Sequence, residues 1–369
     1  MTTRAVRRTT GTARQTDPTN PNDPTHPIDP THATGATGAT NPTRPAGAAG
    51  PNGTTSPASS ATPIQRLLRA AAVIATVPYL ALKAAWLAGS HIGIPDGSVL
   101  LESELFSAVA NALTMAMDAC VIVLALLLTR PWGRRVPGWL LLVLVFTATG
   151  LLTPIMTGFP GQLLVRAVGF GAGEDVKAAR EPFLDDWVYF VVYPGFIIQG
   201  LALAGLFVPY ARERWGRCRQ GVPGTRLPSS TGVVAGAAAA VGAAVGAIHL
   251  YWAFGGTAWL DAEQVAQYSA ESGVFSAVHG LCALAAGAGA LLLARGGAPA
   301  VRGALALAWI GSSAALAWGL WLLLAGLGLQ FGESEPAAPM IFLTYAGQAI
   351  TGCLSAAVLA WSARSRLAA

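Results

Sequence analysis

Charged side chains are scarce in this chain. Asp, Glu, Lys and Arg make up 11% of its 369 residues, whereas roughly a quarter of an average soluble domain is charged. Hydrophobic residues make up 53%. Because about the first sixty residues are polar, the apolar excess is concentrated in the rest of the chain. This composition indicates an integral membrane protein.

The chain also lacks the motifs of several enzyme classes. It contains no glycine-rich Walker loop ending in Lys and Ser or Thr, no His-Glu-x-x-His and no Gly-x-Ser-x-Gly. Its four cysteines include no Cys-x-x-Cys pair, and none falls in a predicted outer loop, where a structural disulfide would form. These absences disfavour hydrolases and ATP-driven pumps, and they predict no structural disulfide and no catalytic residue.

Eight apolar runs of about 20 residues recur along the chain, each long enough to cross the roughly 30 Å of hydrocarbon in a bilayer. They predict an all-α membrane protein with transmembrane helices near 66–89, 105–129, 138–158, 187–210, 231–254, 273–295, 303–327 and 339–362. The longest outer loop, 159–186, is predicted to be an irregular cap over the bundle. A short amphipathic helix over 174–181 is the alternative.

Arginines collect on one side of the membrane if every apolar run crosses it. They include Arg66 and Arg69 before the first helix, Arg134 after the second, and Arg364 and Arg366 at the end of the chain. By the positive-inside rule that side is the cytoplasm, so we expect both termini to be cytoplasmic. The basic residues are spread over short loops and do not form a patch, so nucleic-acid binding is not predicted.

Residues 1–62 are polar and of low complexity. Asp-Pro-Thr repeats begin at Asp17, Asp23 and Asp29, and Gly-Ala-Thr repeats follow them. Such a composition cannot bury enough apolar surface to offset the entropy cost of ordering. A disordered cytoplasmic tail is therefore predicted.

The rest of the chain contains one four-helix unit twice. Four sequence matches occur in the same order and at the same helix ends. They are Lys83-x-x-Trp86-x-x-Gly89 with His249-x-x-Trp252-x-x-Gly255, Phe106-Ser-Ala-Val109 with Phe275-Ser-Ala-Val278, Arg130 and Arg295 each eight residues before a glycine, and Phe190-x-x-Tyr193-x-Gly195 with Phe342-x-x-Tyr345-x-Gly347. We predict two tandem four-helix bundles, 63–212 and 231–369, joined by a cytoplasmic linker, 213–230, and equally oriented in the membrane.

Asp118 is the clearest polar residue inside a predicted membrane helix. It lies near mid-membrane, where an unpaired carboxylate is costly or becomes protonated. Asn111 and Thr114 share its helix face, and Lys83 is the only embedded base predicted within reach. Two interpretations stay open: an Asp118–Lys83 pair or a protonated Asp118 that fixes helix packing, and a proton or cation relay.

His249 and His279 are predicted to meet at one level, a turn or two below the outer surface. Paired histidines in a four-helix bundle can ligate haem iron, and they can also hold a quinone. No Cys, Asp or Glu is predicted at the same depth to complete a metal shell. We therefore predict histidines that pack beside Tyr251 and Trp252, no metal and no cofactor. Haem or quinone remains the alternative.

Tyr193 and Gln199 belong with these residues in the outer half of the membrane. A cavity that opens outward between the two bundles would collect such side chains, and repeat interfaces are where transporters place their sites. A ligand or ion site is therefore predicted in this polar layer. Its residues are Lys83, Asn111, Asp118, His249, His279, Tyr345 and Gln348.

The second half resembles a family of small bacterial four-helix membrane proteins. The resemblance is carried by His-x-Tyr-Trp-Ala-x-Gly-Gly, from His249 to Gly256, and covers roughly residues 231–365. It implies a four-helix membrane unit but no activity. The first half has Lys83 in place of the histidine. The Ala-, Gly- and Arg-rich composition is typical of a GC-rich bacterial genome, so the bacterial plasma membrane is the expected location.

Three functions fit these features. The first is a polytopic membrane protein that binds a small or lipidic ligand in the outer polar layer, without catalysis. The second is a secondary transporter or proton-coupled carrier that uses Asp118 and Lys83. The third is a redox membrane protein that holds haem or quinone between His249 and His279.

Overall fold

The structure, a computed structural model, describes residues 62–102, 104–179, 183–215, 229–296, 301–329 and 339–368. In these ranges every regular element is helical and no strand occurs. Eight helices are long and apolar enough to cross a bilayer, which confirms the all-α membrane fold and the number of predicted spans. The predicted disordered tail and most of the linker 213–230 lie outside the described residues.

Eleven α-helices are described. In chain order they are α1 (Pro63–Leu87), α2 (Val99–Glu102), α3 (Glu104–Thr129), α4 (Gly138–Ala167), α5 (Glu174–Ala179), α6 (Asp186–Trp215), α7 (Ser229–Ala253), α8 (Ala262–Ala266), α9 (Ala270–Arg295), α10 (Val301–Leu329) and α11 (Pro339–Ala368). A 3-10 helix, Pro131–Arg135, joins α3 to α4. Helices α2, α5 and α8 are short and lie in loops, and the other eight are the candidate membrane spans.

The predicted end of the third membrane helix, at residue 158, is wrong. Helix α4 continues to Ala167 with Pro154 and Pro160 inside it. Proline is tolerated in membrane helices because neighbouring groups can satisfy the carbonyls that it leaves unpaired. The outer loop is therefore shorter than predicted, and it contains the short helix α5 where an irregular cap was favoured.

The long helices form two groups of four. Helices α1, α3, α4 and α6 form the first bundle, and α7, α9, α10 and α11 form the second. Helix α4 also packs along α9 and α10, so it is the element that joins the two bundles.

The matched helix ends of the two bundles have the same local structure. Trp86 Nε1 donates to Ile92 O at 2.7 Å, and Trp252 Nε1 donates to Ala258 O at 3.1 Å, in each case six residues further along the chain. The glycine three residues after each tryptophan has a positive φ, 86° in one bundle and 85° in the other, a conformation that glycine adopts without strain. The two matched helix ends thus share one local structure.

Candidate functional site

A cavity of about 340 Å³ lies in the first bundle, against one helix of the second. Its wall includes Tyr79 of α1, Asp118 of α3, Ala148 of α4, Gln199 of α6 and Trp318 of α10. The volume lies in the range of small-molecule sites, about 300–1,000 Å³. Asp118 is the only one of the seven predicted site residues, all of which the structure describes, that lines this cavity.

The second bundle has close helix contacts where the first has the cavity. A Cβ atom added to Gly289 of α9 would overlap the backbone of Ala308 on α10. One added to Gly311 of α10 would overlap the backbone of Ala286 on α9. Small residues let membrane helices approach closely, so α9 and α10 pack backbone against backbone.

The first bundle carries larger side chains at the matching positions. The sequence repeat aligns Gly287, Gly289 and Gly311 of the second bundle with Asp118, Cys120 and Phe146 of the first. Helices α3 and α4 touch only loosely, whereas α9 and α10 pack backbone against backbone.

Two buried polar side chains in the cavity wall carry atoms that have no hydrogen-bond partner among the described residues. Asp118 is 4% exposed, and its Oδ2 atom makes no hydrogen bond. Gln199 is 1% exposed, and neither its Oε1 nor its Nε2 atom makes one. Buried polar groups in proteins are nearly always hydrogen-bonded, so the cavity wall offers a carboxylate and an amide to whatever occupies the space.

Aromatic rings supply much of the remaining wall. Tyr79, Tyr193, Phe196, Trp318 and Trp321 all line the cavity. Tyr79 and Phe196 meet edge to face with ring centroids 5.2 Å apart. Trp318 Nε1 donates to Leu151 O at 3.0 Å, which fixes this ring of the second bundle against α4 of the first.

The predicted Lys83–Asp118 ion pair is absent from the structure. Lys83 Nζ donates instead to Asn111 Oδ1 at 2.9 Å. It also lies over the rings of Tyr79 and Trp86, 4.7 and 5.0 Å from their centroids. The buried ammonium is therefore stabilised by an amide oxygen and two aromatic faces, and Asp118 is left without this partner.

The predicted meeting of His249 and His279 does occur, and Gln348 connects the two rings. The ring centroids are 5.6 Å apart. Gln348 Oε1 lies 3.0 Å from His249 Nε2, and Gln348 Nε2 lies 3.1 Å from His279 Nδ1. All three side chains are buried. Tyr345 is half-buried one turn earlier on α11, outside this hydrogen-bonded group.

The space around the two histidines does not suit a haem held between them. The Gln348 amide lies between His249 Nε2 and His279 Nδ1 and within hydrogen-bond distance of both, where the iron would have to be. The helices also meet closely here, because a Cβ atom added to Gly280 would lie 3.0 Å from Gly246 O. Among the described residues, no group of three or more His, Cys, Asp or Glu side chains could hold a metal ion.

The predicted polar residues thus separate into two groups, and neither forms a cavity between the bundles. Lys83 and Asn111 pair at the end of the first bundle where α1 ends and α3 begins, and the His249–Gln348–His279 group lies inside the second. Sequence reasoning named Thr114, Asp118, Tyr193 and Gln199, which all line the cavity, but it did not identify the other aromatic rings of the wall.

Comparisons of the chain with protein-family models, with curated proteins and with solved structures found no match.

Proposed function

We propose that this protein binds a small amphipathic molecule, with an apolar body and one polar head, in the cavity of the first bundle. The observation that carries the proposal is the conjunction of an aromatic, largely apolar cavity with the unpartnered Asp118 and Gln199 in its wall. A ligand site is typically an apolar cleft with a few placed polar groups. The rings would hold the apolar body, and the carboxylate and amide would orient the head.

The position of the cavity supports entry from the bilayer. It lies where α3 and α4 pack loosely, and the wall includes Thr147 and Cys120, both exposed on the surface of the protein. Since both helices are candidate membrane spans, this surface would face lipid. A lipid-soluble ligand could then reach Asp118 laterally, without crossing the outer loops.

A proton-coupled carrier is the second candidate. The observation that favours it is a row of polar side chains at helical spacing on α3, from Ser107 through Asn111 and Thr114 to Asp118. Asn111 Nδ2 donates to Ser107 Oγ at 3.3 Å and its Oδ1 accepts from Lys83. Such a row leads from the outer end of the helix toward the cavity. Proton-linked uptake into vesicles that is lost in Asp118→Asn would favour this function.

For the bacterial plasma membrane we propose the orientation given by the arginine distribution, with both termini cytoplasmic. The beginning of α3 then lies on the outer side. Asp118 lies near the middle of that helix, and thus about halfway across the bilayer.

Binding is tested by fluorescence quenching with bromododecanol, a neutral amphiphile whose bromine quenches nearby tryptophans. We expect a saturable component in the purified protein, because Trp318 and Trp321 line the cavity. Ala148→Phe, which fills the cavity, should abolish that component. Ala119→Phe makes the same change on the exposed face of α3 and should leave it intact. Quenching that rises without saturation, or that saturates equally in both variants, would contradict the proposal.

A further inference from the structure

We infer that the head of this ligand is a cationic amine held by the Asp118 carboxylate. The inference rests on the proposed binding function and names the chemical class of the ligand. It depends on three observations. The buried Asp118 carboxylate has an oxygen without a hydrogen-bond donor, Lys83 donates to another residue, and aromatic rings line the cavity.

An ionised Asp118 carboxylate needs a cation. Asp118 is 4% exposed and lies in the middle of a membrane helix, and its Oδ2 atom has no hydrogen-bond donor among the described residues. Removing an ionised carboxylate from water is unfavourable unless a positive charge and hydrogen bonds compensate for the lost solvation. An ammonium group supplies both, because each of its N–H groups can donate to a carboxylate oxygen.

Among the described residues, no basic side chain makes an ion pair with Asp118. Lys83 Nζ donates to Asn111 Oδ1 and lies over two rings, and it forms no ion pair with Asp118. Lys83 is also absent from the cavity wall. The nearby positive charge of Lys83 disfavours ligands that carry several positive charges, so a ligand with one ammonium is preferred over a polyamine.

The aromatic wall suits a cation as well as an apolar body. Rings within about 6 Å of an ammonium attract it, and most strongly where water is excluded. Tyr79, Tyr193 and Phe196 come from the helices on either side of Asp118, and Trp318 and Trp321 from the second bundle. Lys83 already shows this chemistry in the same bundle, since its ammonium lies 4.7 Å from the centroid of Tyr79.

Gln199 completes the site for an amine. Its buried Oε1 atom is a second acceptor without a partner, so it can take a second N–H of the head group. An alcohol or a quinone would use the same amide but would leave the Asp118 charge uncompensated. A fatty acid would place a second carboxylate beside the first and is excluded by like-charge repulsion.

The test is a competition experiment in neutral detergent at neutral pH. Dodecylammonium, dodecanol and dodecanoate, which share one alkyl chain, each displace bound bromododecanol. We expect dodecylammonium to displace it at a concentration at least about tenfold lower than dodecanol, as for a charge-assisted pair, and dodecanoate to be the weakest. Asp118→Asn should remove the preference for the amine, so that dodecylammonium and dodecanol displace the probe at similar concentrations.

Controls keep this result apart from nonspecific charge effects. Glu213→Gln removes an exposed acid at the end of α6 and should retain the amine preference. Asp118→Ser gives the same comparison if Asp118→Asn does not fold. Equal displacement by amine and alcohol, or a preference that survives in Asp118→Asn, would overturn the inference while leaving the binding function in place. If bromododecanol itself does not bind saturably, the proposed function fails first.

Discussion

Two buried glutamines show how differently single residues are used in the two bundles. Gln348 is fully buried, and its amide connects His249 to His279. Gln199 is 1% exposed, and its amide has no partner among the described residues. The first glutamine uses its amide within the protein, between two buried imidazoles. The second faces a cavity, where it is available to a ligand.

We predict opposite effects for the same substitution at these two residues. Gln348→Leu leaves two imidazoles without their buried partner and should destabilise the protein by about 1–3 kcal/mol. Gln199→Leu breaks no hydrogen bond and should change stability by less than about 0.5 kcal/mol, while weakening ligand binding. Unfolding titrations of both variants in detergent measure the difference. Equal destabilisation would mean that Gln199 is bonded within the protein.

The site residues were predictable to different degrees. The helical period places Asp118 near the middle of α3 and His249 level with His279, and the structure shows both. The partner of Lys83 was not predictable, because depth along one helix does not fix the rotation of its neighbour. Asn111 shares a helix face with Asp118 and lies closer to the outer end, so it receives the ammonium that the sequence assigned to the acid.

Helix α4 determines how the two bundles pack together, because it belongs to the first bundle and packs on the second. Gly150 lies at the contact: a Cβ atom added there would overlap the carbonyl oxygen of Ser313 and lie 2.9 Å from the Cβ of Ala317. The close approach of α4 and α10 therefore depends on the absence of a side chain at this position.

Gly150→Ala should separate α4 from α10 and destabilise the protein by about 1–3 kcal/mol, as overpacking does in other cores. The matched control is Gly232→Ala on α7, where an added Cβ meets nothing within 4 Å; it should be neutral or slightly stabilising. Thermal unfolding of the two variants in detergent distinguishes them. A neutral Gly150→Ala would show that the helices are further apart than in this structure.

Most helix bounds follow from the apolar runs, since a run of sufficient length must cross the bilayer as a helix. The largest departure is at α4, which continues through Gly158 and Pro160 past its predicted end at residue 158. These residues end helices in water more readily than in a membrane protein, where proline inside a helix is tolerated. Helix α4 contains both and reaches Ala167, which brings Arg166 to α9.

At the scale of the whole molecule, an ion pair joins the bundles beyond this helix contact. Arg166 of α4 donates to both carboxylate oxygens of Glu271 on α9, at 3.2 and 2.9 Å. The carboxylate also accepts from Ala172 N at 3.1 Å. Its side chain is 6% exposed, whereas that of Arg166 is 50% exposed. This pair ties the end of α4 and the following loop to the second bundle.

Arg166→Gln should destabilise the protein by about 1–3 kcal/mol, because it removes charged hydrogen bonds from a buried carboxylate. Arg134→Gln removes an ion pair with Glu213 whose side chains are 68% and 64% exposed and should change stability by less than about 0.5 kcal/mol. Denaturant titrations of the two variants give the comparison. Equal effects would argue that the Arg166–Glu271 pair does not hold the bundles together.

The proposed orientation predicts which loops are accessible from outside the cell. Ala262→Cys is exposed between α7 and α9, and Arg134→Cys is exposed between α3 and α4. In intact cells expressing a variant that lacks the native cysteines, a membrane-impermeant maleimide should label the first and not the second. The reverse labelling would place both termini outside.

The position of the cavity was not predictable from the sequence at this scale. The repeat and the polar inventory suggested a layer between the two bundles, whereas the structure has a cavity inside one bundle, with Trp318 and Trp321 of the other closing it. Loose packing between two helices depends on the sizes of all facing side chains together. That sum cannot be read from the spacing of polar residues.

The central claim is that an amphipathic ligand binds in this cavity, and anomalous diffraction from crystals grown with bromododecanol tests it most directly. The account predicts a bromine peak among Tyr79, Phe196 and Trp321, with the head of the probe at Asp118 and Gln199. Bromine found only on the outer lipid-facing surface, or beside His249 and His279, would contradict it.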